Sequence, residues 1–350
     1  MRVASGACRR DDRHRALTQI SGHANASWVS FPNDSPPSPQ SSVPSTVYLQ
    51  AVAKMLHDVF QIPRFSNEKF LSWLYRQNPQ GDEVAVDVFH GDVCKAHYCV
   101  IPCALASKEA RLVGALSLNT AVSSDIRLKG TFSRIAEECY TKAKAQGVTA
   151  VIGVANNNST PGIVKHLGFR LVKPLPVLIG ARMSLRHNSV MSHRVSAMSA
   201  ADLERLLSSV DFDATLRPGR WSVVWNAKLF AWRLRSPASN YILHVSDNAL
   251  AVSTLEVQHG VRFAVLLKVC RRGPGAIHSR HLASAACNAH GAAFFVYSGQ
   301  NDDVQFHGVP VPMRFRPRPL NMIYRQLTTD APGQNEFELG NFEFLDFDAY

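Results

Sequence analysis

The chain is 350 residues long, 46% hydrophobic, and carries a formal net charge of +11. That length can bury a sizeable core and predicts two domains, and no apolar run reaches the roughly 18 residues that a membrane span needs. Arg9-Arg10 has no apolar segment behind it, which argues against a secretory signal. Seven cysteines at irregular spacing fit the reduced thiols of a cytoplasmic protein better than a disulfide framework.

The charge is unevenly spread. Residues 181–329 hold 18 Lys and Arg against eight Asp and Glu, whereas 330–350 hold six acids and no Lys or Arg. Two readings stay open: a basic face for an anionic ligand, or a solvated surface partly neutralised by an acidic C-terminal tail. The basic residues do not form a run with interleaved aromatics, and no helix-turn-helix or zinc-finger spacing is present, so nucleic acid is disfavoured as a partner.

Residues 1–46 are polar and then Ser/Pro-rich, a composition expected to stay disordered. Folding is expected from Thr46. Apolar residues at helical spacing over Val47–Phe60 and again over Phe65–Tyr75 predict two helices. Val84–Phe89 and Lys95–Ile101 read as antiparallel strands about the turn His90-Gly91-Asp92. Ala115–Val122 reads as the central strand. A polar turn over 123–129 leads into a helix from Thr131, with Phe132, Ile135, Ala136, Cys139, Tyr140 and Ala143 on one side and Gly147 as its stop. Val148–Ala155 is a second apolar strand, followed by Asn156-Asn-Asn-Ser159, a short helix, Leu167-Gly168-Phe169 and a final strand at Val177–Ala181. A basic, glycine-containing turn that feeds a helix N-terminus presents free backbone N–H groups and the positive end of the helix dipole, which suits a phosphate.

This stretch resembles the GNAT acyltransferase superfamily. Arg127 and Gly130 match the family's pyrophosphate turn, whose last position is here Phe132. Asn156–Ser159 match the segment beside the pantetheine arm, and Leu167-Gly168-Phe169 matches the exit from the following helix. Trp73-Leu-Tyr75-Arg-Gln-Asn-Pro79 resembles the opening of a subgroup that is often tandem and occurs among surface-polysaccharide enzymes. The resemblance implies an α/β (α+β) fold with a mixed central sheet flanked by helices, and acetyl-CoA or another acyl-CoA as donor, with no metal. It places the donor on Asn119, Val122, Arg127, Lys129, Gly130, Thr131 and Asn156, with the oxyanion near Asn119–Val122.

An internal repeat extends the expectation to a tandem fold. Lys69-Phe-Leu-Ser-Trp73-Leu-Tyr-Arg is echoed by Lys228-Leu-Phe-Ala-Trp232-Arg-Leu-Arg. The later order is a hairpin (241–245, 249–255), a strand (261–269), a basic Gly turn (271–275), a helix (279–290) and a strand (292–297). It follows the first half, without a Leu-Gly-Phe exit and with prolines where the last helix would fall. The expected units are therefore 47–181, a GNAT acyltransferase domain, and 182–350, a degenerate GNAT-like domain ending in an acidic tail.

No motif fixes the acid–base groups. Tyr75, His97, Asp125, Ser159 and His166 are the candidates, each with a structural alternative: a packed aromatic, a packed strand histidine, a turn cap. Cys94, Cys99 and Cys103 lack paired Cys-x-x-Cys spacing. His278, His281, Cys287 and His290 have no carboxylate partner, so no metal site is expected. The leading expectation is an N-acyltransferase acting on a primary amine, with an amino sugar or sugar nucleotide as the acceptor suggested by the subgroup resemblance. The alternatives are a catalytically degenerate acyl-CoA-binding regulator and a Fem-like aminoacyl transferase.

Overall fold

The computed structural model describes residues 45–126, 130–183, 189–214, 216–316 and 319–347. The expected disorder of 1–46 therefore lies almost wholly outside the described residues. Helix α1 (Ser45–Phe60) buries Leu49, Val52, Met55 and Leu56, one face of a 3.6-residue period. Helix α2 (Glu68–Arg76) starts where the Asn67 side chain accepts from the Lys69 N–H. Strands β1 (Val84–His90) and β2 (Val93–Pro102) form the expected hairpin, and β3 (Gly114–Val122), α3 (Thr131–Ala145) and β4 (Ala150–Ala155) form the strand–helix–strand unit. Gly147, at φ 86°, ends α3 in a conformation that glycine adopts without strain. Helix α4 (Thr160–His166) and strand β5 (Arg170–Pro174) follow, the latter an element the sequence reading left out.

The second half repeats this order. After β6 (Val177–Ala181) and β7 (Met191–Arg194) come α5 (Ala200–Leu207), α6 (Ala227–Leu234), β8 (Ile242–Val245), β9 (Ala249–Gln258), β10 (Val261–Arg271), α7 (Ser279–His290) and β11 (Phe294–Gln300). Strand β7 falls within 182–199, which the sequence reading treated as a connection. Short strands β12 (Val309–Pro310), β13 (Asn321–Gln326) and β14 (Phe342–Glu343) complete the two main sheets.

Their order shows how the halves are joined. One sheet runs β1-β2-β3-β4-β13-β5, and the other runs β12-β6-β11-β10-β9-β8-β7, with β14 added beside β11. Each sheet thus takes the strand beside its second parallel strand from the other half: β13 enters the first sheet from near the C-terminus, and β6 enters the second. The expectation that β6 closes the first half is corrected. Leu175, between Pro174 and Pro176, is fully buried, and beyond it the chain crosses to the second sheet. Strand β13 is buried on both faces: Met322 and Tyr324 join the central core, while Ile323 joins the cluster under α3.

The repeat tryptophans lie where the halves meet. Trp73 and Trp232 stack with ring centroids 4.8 Å apart, and each indole N–H donates to the other's backbone carbonyl, at 3.1 and 3.2 Å. This reciprocal contact anchors a core shared by both halves, since α1, α2 and α6 bury their apolar faces in one cluster. Among the described residues no helix is long and apolar enough to cross a membrane.

The acidic C-terminal stretch is divided: Asp330, Glu336 and Glu338 are exposed, whereas its later part folds inward, which corrects a second expectation. Glu343 and Asp346 are buried, and Lys268 Nζ lies 3.3 Å and 2.9 Å from their carboxylates. Phe337, Phe342, Phe344 and Leu345 are buried around them. The apolar residue beside each acid draws the segment inward, and the buried ammonium makes its charge tolerable there.

Candidate functional site

The parallel ladder between β3 and β4 runs from Gly114–Ala150 to Ser117–Gly153 and then stops, while β3 continues to Val122. On its other edge β3 has a bulge: Cys99 faces Leu118 and His97 faces Ala121, so Asn119 and Thr120 stand against one residue of β2. Asn119 has φ 51°, a left-handed conformation that asparagine accepts more readily than most residues. The bulge and the splay together expose the middle of a central strand. Residues 117–120 are half-buried between fully buried ends, and Ser117, Leu118 and Asn119 line a cleft of about 1650 Å³ between the halves.

Beneath the bulge lies a buried polar chain. Tyr48 donates to Asp87 Oδ2 at 2.9 Å, and His97 Nδ1 lies 2.6 Å from Asp87 Oδ1. Tyr75 Oη is 3.0 Å from His97 Nε2, and Asn119 Nδ2 donates to Tyr75 Oη at 3.0 Å. A carboxylate can only accept, so His97 Nδ1 donates to Asp87. Burial pushes the Tyr75 hydroxyl well above its ordinary range, which keeps its proton on oxygen at neutral pH. The chain fixes the Asn119 amide at the edge of the cleft.

Of the sequence candidates, the structure brings Tyr75, His97 and Asn119 together. Neither Tyr75 nor His97 lines the cleft; both are fully buried and act through Asn119. Asp87 and Tyr48 were missed. Asp87 stands opposite His97 because a bulge between Val88 and Phe89 shifts the hairpin register by one residue; the register at the turn alone would pair it with Ala96. The cleft residues of the second half left no signal in local pattern.

The remaining candidates are placed elsewhere. Asp125 sits in the turn after β3, 2.6 Å from Lys95 Nζ and bonded to the Ser123 hydroxyl; these bonds hold its carboxyl down at about 2. Ser159 and Asn156 cap each other: Asn156 Oδ1 accepts from the Asn158 and Ser159 N–H groups and the Ser159 hydroxyl, so this pair forms the turn into α4. His166 is exposed at the end of α4, and Val122 is buried at the end of β3. Arg127 and Lys129 lie outside the described residues. Gly130 has φ 99° and precedes α3, whose first turn with Thr131 has no side-chain cap. Phe132 turns away from that opening and packs edge-on against Tyr98, with centroids 6.0 Å apart.

The second half offers no equivalent opening. Its parallel ladder also stops, at Leu266–Tyr297, but β14 pairs with β11 just beyond that point. There Glu343 Oε1 accepts the Val269 N–H at 3.1 Å, and Asn301 Nδ2 donates to the Val269 carbonyl at 2.9 Å. Its basic turn is folded onto itself: Arg271 donates to the carbonyls of Gly273 and Gly275, and Arg272 to that of Ser246.

This arrangement is the GNAT fold, with the second half built on the same strand order as the first. A GCN5-related N-acetyltransferase from Kribbella flavida superposes with a TM-score of 0.55 at 16% identity, over 81% of this chain and 69% of that one. The corresponding enzyme from Anabaena variabilis gives 0.55 at 10% identity, over 79% and 70%. The N-myristoyltransferase of Saccharomyces cerevisiae with bound myristoyl-CoA gives 0.53 at 10% identity, over 83% and 85%. No family model matches the sequence, and neither does any curated protein.

Proposed function

We propose that the chain is an acyl-CoA-dependent N-acyltransferase whose single donor site lies in the first half. The observation that carries this is the open splay of β3 from β4 past Ser117, facing a large cleft and followed by an uncapped helix N-terminus after a left-handed glycine. The donor pyrophosphate would lie at Gly130, Thr131, Arg127 and Lys129, with the pantetheine arm passing between β3 and Asn156. The thioester carbonyl would meet the backbone of Asn119–Val122, where N–H groups stabilise the charge that develops on oxygen. An acceptor amine attacks that carbonyl, the tetrahedral intermediate collapses with cleavage of the C–S bond, and the proton lost from the amine nitrogen passes to the departing thiolate, giving the amide and free CoA thiol.

In this reading Tyr75, His97 and Asp87 are positioning residues: they hold the bulge and the Asn119 amide. The cleft exceeds the roughly 300–1,000 Å³ of ordinary ligand pockets. Part of its lining is apolar (Leu118, Val154, Val177, Ile179, Val265, Val296), which supports an acyl group longer than acetyl. A primary amine, with an amino sugar or sugar nucleotide among the acceptors to screen, completes the reaction.

Titration calorimetry on the whole chain with acetyl-CoA and myristoyl-CoA tests the donor site, and thiol release in the presence of amines tests transfer. Binding without thiol release from any amine would leave a binding protein and overturn the enzymatic reading. Absence of binding by either thioester would remove acyl-CoA as the donor.

A further inference from the structure

The charged residues that line the cleft differ in what holds them. Two arginines belong to the face of the second sheet that α7 covers. Arg262 donates through Nε and Nη2 to the His290 carbonyl at the end of α7, at 3.0 and 2.7 Å, and so caps that helix. Arg194 shares a cross-strand row with Ile242 and Ser253, and the Ser253 hydroxyl lies 2.8 Å from His290 Nε2 of α7. Arg316 donates to the carbonyls of Val311 and Leu175, at 2.8 and 2.7 Å. The Arg64 guanidinium lies over the rings of Phe65 and Phe70, 5.4 and 5.2 Å from their centroids.

Glu256 is the remaining charged residue of the lining, and it is placed differently. Strand register puts it in one row with Phe263 and Phe294, and the next row inward holds Thr254, Val265 and Val296. Val265 packs in the core shared by the two halves, whereas Ala264 and Leu266 pack under α7. The period of two therefore turns Phe263 and Glu256 toward the first half, on the face that looks across to the splayed β3. Glu256 is half-buried, and among the described residues it makes neither a hydrogen bond nor an ion pair. A carboxylate partly withdrawn from water beside Phe263, Val265 and Val296, with no protein partner, gains from a cation that arrives with a ligand. A primary amine arrives as one, because at neutral pH it is an ammonium.

We infer that the acceptor is recognised as a cation and that Glu256 holds its ammonium, with the apolar rows beside it taking the body of the molecule. This rests on the acyltransferase reading and names the acceptor class for its site: an amine with an apolar body and no anionic group beside its nitrogen.

Two probes of the same length test the site without turnover. Octylamine and 1-octanol are titrated into the whole chain; they share an apolar body and differ in the charge of the head. The expected result is octylammonium binding about tenfold tighter than octanol, a preference weakened by salt. Glu256→Gln keeps the shape of the side chain and should abolish the preference without lowering the melting temperature, since no protein partner is lost. Gln258→Ala, two residues further along the same strand, should leave the preference intact. Equal binding of the two probes, binding of neither at millimolar concentration, or a preference that survives Glu256→Gln overturns the inference. Donor binding and thiol release from acyl-CoA with octylamine and other amines are measured in parallel. Release accompanied by equal probe binding rejects the Glu256 site alone, whereas donor binding with no release from any amine rejects the acyltransferase reading itself.

Discussion

The two halves share a six-strand order, to which the second adds the edge strand β7, and they differ most at one place. Where β3 leaves β4, the first half keeps an opening onto the cleft. Where β10 leaves β11, the second half receives β14, and the Glu343 carboxylate and the Asn301 amide take up the N–H and carbonyl of Val269. A splayed parallel pair leaves backbone groups that need partners, and the chain meets that need in two ways. The second half uses its own C-terminal segment. The first half leaves residues 117–119 of β3 facing the cleft.

The plug rests on an ion cluster, and its removal should have the largest effect. Burial alone would pull the Lys268 ammonium down, but Asp346 and Glu343 beside it outweigh that and hold it above the usual lysine range. Lys268→Met leaves two buried carboxylates without a cation and is expected to cost about 3–5 kcal/mol at pH 8. The loss should shrink at pH 5, where Glu343, its carboxyl pushed up by burial to about 7, carries its proton. Urea unfolding at both pH values measures it, and an equal loss at both would show that the cluster does not carry charge as described.

Tyr75 links uncharged groups in the first half, so removing its hydroxyl should cost less than removing a buried charge. Tyr75→Phe removes the hydroxyl between His97 and Asn119 and leaves two buried groups short of a partner, for about 1–3 kcal/mol. Because Tyr75 acts through Asn119, kcat for acyl transfer should fall while donor affinity changes little. A fall in donor affinity alone would place Tyr75 in the donor site instead.

How much of this was legible in the sequence depended on range. Helix and strand positions followed from local periodicity, as in α3, where Ile135, Ala136, Cys139, Tyr140 and Ala143 are all buried as their spacing requires. Tyr75 and His97 were singled out as separate candidates, yet their connection runs through Asp87 and the bulge at Asn119, which only strand register brings together. The exchange of β6 and β13 left no local mark. Asn321-Met-Ile-Tyr-Arg-Gln follows a proline-rich stretch and is too short to announce a central strand. The acidic segment misled for a related reason: six acids suggested solvent throughout, whereas the interleaved Phe342, Phe344 and Leu345 bury its later part.

At the donor turn the contrast between the halves becomes a binding difference. Gly130 stands at φ 99° with open space where a Cβ would lie, so a side chain there is strained by the backbone and not by a neighbour. Gly130→Glu adds a negative charge at the N-terminus of α3 and should weaken acyl-CoA binding about tenfold or more, a change of about 1.4 kcal/mol, beyond the stability lost to backbone strain. Gly275→Glu, at the corresponding turn of the second half, should leave donor binding unchanged. Equal losses from the two variants would mean that both turns, or neither, meet the phosphates.

A last comparison tests the plug through one proton. Burial pushes the Glu343 carboxyl up to about 7 from its ordinary 4.5, with Lys268 pulling the other way. A carboxyl raised on folding keeps its proton where the unfolded chain has already released it, so stability falls as pH rises from about 4.5 to about 7. Glu343→Gln keeps an acceptor for the Val269 N–H and removes the titration. Near pH 4.5, wild type and variant should be nearly equal in stability; the gap should open in favour of the variant up to pH 7 and stay constant above it. Parallel pH profiles would mean that Glu343 is ionised throughout. The second splay would then be sealed by an ion triad rather than by a carboxyl able to shed its charge.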